Sequence, residues 1–154
     1  MKSIIFVILA ILFMNSAFGY STLFHSHPDT VLKNLREGNW NTYIIYFYSN
    51  SEDDQDLKNS VINNAVSYYG DDVLYTEVNV SKQGYSKVLN AIEFDSSRDR
   101  TLSGSATYNQ LPFVLEVVHG YGYIISGSNA HKTAKTHIQE LINLGNEQKL
   151  ETYH

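Results

Sequence analysis

The chain of 154 residues contains no cysteine. Thiol–disulfide exchange is thereby excluded, because only a thiolate can attack a disulfide and carry the mixed-disulfide intermediate. Positive charge is also sparse, with eleven Lys and Arg against sixteen Asp and Glu, and no basic cluster. A nucleic acid is therefore excluded as a partner class, since displacing counterions from a phosphate backbone needs such a cluster. Catalytic signatures are missing too. There is no G-x-G-x-x-G, P-loop or G-x-S-x-G; Gly120-Tyr121-Gly122 falls inside a hairpin, and Gly104-Ser105-Ala106 reads as loop. Long apolar runs are confined to the N-terminus, where Ile4 to Met14 is unbroken.

That run follows a basic start at Lys2 and precedes small residues ending at Gly19, the pattern of a secretory signal peptide cleaved after Gly19. It is short for a membrane span, which takes about 20 apolar residues. Extended to Tyr20 it also reads as a hydrophobic helix retained as a signal anchor, and membrane contact is expected only if residues 4–20 are kept. The whole chain is 43% hydrophobic with ordinary charge, enough for a core, and the remainder is of a length for one domain. The expected organisation is a leader over 1–19, a linker over 20–28, a domain over 29–145 and a polar tail over 146–154.

Asp29 is placed to cap a helix running to Glu37 and closed by Gly38. Tyr43 to Tyr48 is a β-branched and aromatic run, as expected of a central strand buried on both faces. Ser51 and Asp54 resemble a capping box, and the acids from Glu52 to Asp56 favour the positive end of a helix dipole. Leu57, Val61, Ala65 and Tyr69 give that helix its core face, up to Gly70. A strand is expected over Val73 to Val80, and a helix from the stripe Tyr85, Val88, Leu89 and Ile92. Phe94 to Tyr108 reads as loop. Leu111 to Val118 forms a hairpin with Tyr123 to Ser126, turned by His119 to Gly122. Ala134, Ile138, Leu141 and Ile142 mark a last helix stopped by Gly145.

This order resembles the thioredoxin-like family, and the likeness spans Asp29 to Gly145. It is carried by Leu111-Pro112 ahead of an apolar strand, Gly120 beyond it, Gly127 before the final helix, and Phe47-Tyr48-Ser49 at the end of the central strand. Trp40 upstream and Glu77-Val78-Asn79-Val80 support it. The resemblance implies an α/β three-layer sandwich, with a mixed central sheet flanked by helices, and a cis peptide before Pro112 facing the loop that is the family's active site. Where that family places Cys-x-x-Cys, this chain has Glu52-Asp53-Asp54-Gln55, and Tyr46 stands where the family often has a buried acid. The expectation is a redox-inactive domain similar to the non-catalytic domains of protein disulfide isomerases, in the endoplasmic reticulum lumen or secreted. Its partner would be a polypeptide, met by Glu52, Asp53, Tyr108, Leu111 and Pro112. No catalytic residue, cofactor or metal is expected. The alternative is a membrane-anchored structural subunit of a protein complex, with the mitochondrial inner membrane as one location.

Other features have bland readings. The acids from Glu52 to Asp56 depart from the calcium-loop pattern and read as a solvated helix start. His25-Ser26-His27 lacks a third ligand and reads as solvated histidine, and His131 and His137 miss the i, i+4 spacing of a helical metal pair. Asn79-Val80-Ser81 is the only glycosylation sequon, with Asn79 near a strand end. Tyr121 and Tyr123 read as sheet-face tyrosines.

Overall fold

The computed structural model describes residues 19–36, 39–94, 104–105, 110–127 and 130–151. The expected N-terminal hydrophobic helix and Tyr108 lie outside them. Among the described residues no helix is long and apolar enough to cross a membrane.

The elements are β1 (Ser21–Thr22), α1 (Pro28–Arg36), β2 (Thr42–Tyr48), α2 (Gln55–Val61), β3 (Val73–Asn79), α3 (Ser86–Leu89), β4 (Glu93–Phe94), β5 (Gly104–Ser105), β6 (Phe113–Val118), β7 (Tyr121–Ile125) and α4 (Ala130–Glu151). Beyond Val61 the chain stays helical through a π turn (Ile62–Val66), in which Ala65 and Val66 are both fully buried, and a short α turn (Ser67–Tyr69).

One sheet has the order β1-β3-β2-β6-β7, and β4 pairs with β5 in a separate ladder. β1 and β2 run parallel to β3, whereas β6 is antiparallel to both β2 and β7. β2 is central, as its unbroken run predicts. Its alternation sends Tyr43, Ile45 and Phe47 to one face, where Val31, Leu32, Val88 and Leu89 of α1 and α3 pack. Ile44 and Tyr46 face the other way, onto Leu57 and Val61 of α2 and Ala134 and Ile138 of α4. The result is a sheet between two helical layers.

Several boundaries differ from the sequence reading, each for a local reason. Ser21–Thr22, within the expected linker, pairs with Leu74 and Tyr75 and adds an edge strand. Asp29 lies in the first turn of α1 rather than at its cap, because Pro28 takes the first helical position, where no N–H is needed. Only four residues of the Tyr85 to Ile92 stripe are α-helical, although Tyr85, Val88, Leu89 and Ile92 are all buried. The hairpin turn is the two-residue His119-Gly120, with φ of 48° and 76°, so β7 begins at Tyr121.

Gly145 does not stop the last helix. α4 continues to Glu151, and the expected polar tail is helical that far. Gly145 is needed for closeness instead: a Cβ there would sit 2.7 Å from the Trp40 carbonyl oxygen. Gly122 is tighter still, since its Cβ would fall 1.9 Å from the Glu116 carbonyl oxygen.

Candidate functional site

The C-terminal end of β2 and the N-terminal end of β6 are adjacent, with Phe47 opposite Phe113 and their rings stacked at 5.0 Å. That register puts Pro112 at the same end of the sheet as the acidic loop. The Leu111-Pro112 peptide is cis, in agreement with the resemblance. Pro112 is half-buried at the rim, but the Leu111 side chain is buried in the core on the α1 side. Leu111 therefore turns its side chain to the core, whereas Pro112 lies at the rim.

Glu52 and Asp53 are exposed, and the loop carrying them is tied down from beneath. Tyr46, fully buried in β2, donates its hydroxyl to Asp53 Oδ1 at 2.8 Å, with the Asp54 carbonyl oxygen at 3.0 Å, and accepts from the Asp54 N–H at 2.8 Å. Burial, with the two acids adding to it, pushes the Tyr46 phenol well above its usual range, so it stays neutral and keeps its proton to donate. Ser49 supports the other side, its hydroxyl accepting from the Glu52 N–H at 3.0 Å and its N–H donating to the Glu52 carbonyl at 2.9 Å. Asp54 caps α2, accepting from the Leu57 N–H at 2.9 Å. Ser51, the expected cap, faces Ser49 Oγ at 3.2 Å. Tyr46 and Ser49 thus hold the acidic loop from two sides.

Further polar groups flank it on the same sheet face. Glu77 lies opposite Tyr46, accepts from the Tyr75 hydroxyl at 3.2 Å, and meets Lys58 Nζ at 3.5 Å. Asn79 is half-buried; its amide donates to Asn50 Oδ1 at 2.9 Å and accepts from the Ser81 N–H at 3.0 Å. A glycan on Asn79 would replace one of the two hydrogens of the nitrogen that makes the first of these bonds.

The histidines are not uniformly solvated. His25 is half-buried, with Nδ1 at 2.7 Å from the Tyr85 hydroxyl and Nε2 at 3.0 Å from the Glu77 carbonyl oxygen. Nε2 must donate to that carbonyl, and burial lowers the ring's pKa, so the neutral Nε2–H form accepting from Tyr85 fits the site. Among the described residues, no group of three or more His, Asp or Glu side chains is placed to hold a metal ion.

The sequence reading missed a buried carboxylate. Glu116 in β6 is fully buried and faces α4, where His137 Nδ1 lies 3.2 Å from Oε2; Oε1 has no hydrogen-bond partner among the described residues. Burial raises its pKa, opposed by the histidine. His137 stacks on Tyr123 at 3.9 Å, and the Tyr123 hydroxyl donates to Glu140 Oε1 at 2.8 Å. A single Glu inside an apolar strand was the available signal; its partner, 21 residues away, was not.

Strand order, strand directions, the two helical layers and the cis proline beside the α2 loop define a thioredoxin-like fold. Among solved structures the chain is similar to the crystal structure of the J-Trx1 fragment of ERdj5, with a TM-score of 0.53 and 11% sequence identity over 81% of this chain. At that identity the likeness is one of fold, and the chain spans about half (52%) of that fragment. No protein-family model matches the chain, and no curated protein matches it.

Proposed function

We propose that this chain is a redox-inactive thioredoxin-like module of the secretory pathway that binds a polypeptide across the Pro112 end of its sheet. The observation that carries the reading is the acidic rim. Glu52 and Asp53 project from a loop pinned by Tyr46, beside the rim proline, in a chain without a thiol. A rigid, exposed surface loses little entropy on binding, so it suits recognition of an extended segment. The placement in the secretory pathway rests on the leader pattern at residues 1–19.

The test is chemical-shift mapping of the isotopically labelled protein with a permanently unfolded polypeptide, such as reduced and carboxymethylated lactalbumin. Saturable shifts at residues 49–55 and 110–113 are expected. Their absence at millimolar polypeptide rejects the reading. Insulin reduction above background by the purified chain would reject its redox-inactive part.

The apolar run that begins at Ile4, when extended to Tyr20, supports one second reading, a retained anchor in a membrane-bound complex. N-terminal sequencing decides between them. Tyr20 at the mature terminus selects the lumenal or secreted module, and Met1 in a detergent extract selects the anchored subunit.

A further inference from the structure

A groove of about 580 Å³ opens at the opposite end of the sheet from Pro112. Trp40, just ahead of β2, and His119, in the β6–β7 turn, form one wall, their rings stacked at 4.0 Å between centroids and 20° between planes. Tyr121 extends that wall, and α4 supplies the facing one through Glu140, Asn143, Leu144 and Glu147. Offsets of three, four and seven set these side chains on one helical face. Backbone geometry holds the two walls in place. The missing side chain at Gly145 lets α4 touch the Trp40 carbonyl, and the left-handed φ of 48° at His119 belongs to a tight two-residue turn that sets the imidazole over the indole.

The groove combines a stacked aromatic pair, in which His119 covers one face of the indole, with carboxylates at its edge. Its described lining includes two glutamates and no Lys or Arg. Glu147 is exposed, and Glu140 is engaged through Oε1 by Tyr123. An anion is disfavoured by that charge. A hard dication would need several converging oxygens, which Glu140 and Glu147 do not provide. A guanidinium fits both elements at once, since it is planar, stacks on aromatic faces and donates in a fork to carboxylates, whereas an ammonium is a compact, strongly hydrated point charge. The groove is also open and larger than one side chain, leaving room for the residues that flank an arginine.

We propose that this groove binds an arginine side chain of a polypeptide partner, the guanidinium lying over the Trp40–His119 pair and donating to Glu147 or Glu140. This is a second site. It lies at the far end of β2, roughly 20 Å from the Pro112 rim at the usual rise per strand residue, so its failure would leave the reading of that rim standing.

Trp40 is the only tryptophan in the chain, which makes intrinsic fluorescence a reporter of the groove. The full chain is titrated with a capped Gly-Ser-Arg-Ser-Gly peptide and with its citrulline and lysine counterparts. A saturable change in Trp40 emission is expected with the arginine peptide, and binding about tenfold weaker with either counterpart. Calorimetry on the double variant Glu140→Gln, Glu147→Gln, with its circular dichroism unchanged, should show a similar loss. Equal affinity for the arginine and citrulline peptides overturns the proposal, as does no binding at millimolar peptide. An equally tight lysine peptide overturns the planar-cation assignment, and free L-arginine binding as tightly as the peptide overturns the polypeptide. If the double variant does not fold, the citrulline comparison on the unaltered chain still decides.

Discussion

Tyr46 reaches out of the middle of the sheet to donate its hydroxyl to Asp53 Oδ1 at 2.8 Å. A core side chain therefore positions a surface carboxylate, and the same oxygen also satisfies the Asp54 N–H at 2.8 Å. Replacing Tyr46 with Phe keeps the ring packing and leaves that N–H without its partner. The expected cost is about 1–2 kcal/mol in urea unfolding. Faster proteolysis within residues 50–56 should accompany it, and an unchanged cleavage rate would show that the loop does not depend on Tyr46.

The start of α2 offers a paired comparison. Asp54→Ala removes the side chain that accepts from the Leu57 N–H and should cost about 1 kcal/mol. Ser51→Ala, which removes a hydroxyl paired with that of Ser49, should stay within about 0.5 kcal/mol of the wild type. The reverse order would return the cap to Ser51.

Glu116 gives stability a defined dependence on pH. Burial holds its carboxyl above the ordinary value of 4.5, so the folded chain keeps a proton that the unfolded chain releases. The unfolded state then binds fewer protons, and the contribution of this group falls as pH rises from about 4.5 through its folded pKa, levelling off above that. In Glu116→Gln this contribution is absent. The stability of the wild type minus that of the variant should therefore decline over that window, measured by chemical denaturation at a series of pH values. A difference that stays flat or grows would contradict the burial of an ionisable group there.

Glycine inside a helix usually costs about 1 kcal/mol relative to alanine, so Gly145→Ala would ordinarily stabilise. Here the new Cβ would meet the Trp40 carbonyl at 2.7 Å, and backbone cannot swing aside as a side chain can. Overpacking should win, with a net loss of about 1–3 kcal/mol in thermal or urea melts and a shifted Trp40 emission. A more stable variant would mean that α4 does not pass that close.

The central strand and the helical faces were legible because their signals are local. Tyr43 to Tyr48 has no polar position on either face, and Leu57, Val61 and Ala65 repeat at the helical period, so burial could be assigned without knowing the neighbours. What stayed hidden depends on residues far apart in the chain. Gly145 looks like a helix stop until Trp40 is placed against it, and Tyr46 looks like one more core aromatic until the turn of the chain brings Asp53 above it. Glu116 and His25 follow the same rule, since each is explained by a partner on another element. At the candidate site, the acidic rim and Pro112 could be named from sequence. The aromatic pair of Trp40 and His119 could not, because only the pairing of β2 with β6 brings them together.

The length of α4 has a mechanical consequence. Its 22 residues correspond to about 33 Å of uninterrupted helix, beginning beside the end of β7 that pairs with β6 near Pro112 and finishing past the Trp40 groove. One helix thus runs from the Pro112 end of the sheet to the Trp40 groove and is anchored along the way by the buried Ala134 and Ile138, which pack with Ile44 and Tyr46 of β2. Two ligands seated at opposite ends would be held at a set separation and orientation, and the domain would act on them as a spacer of fixed gauge.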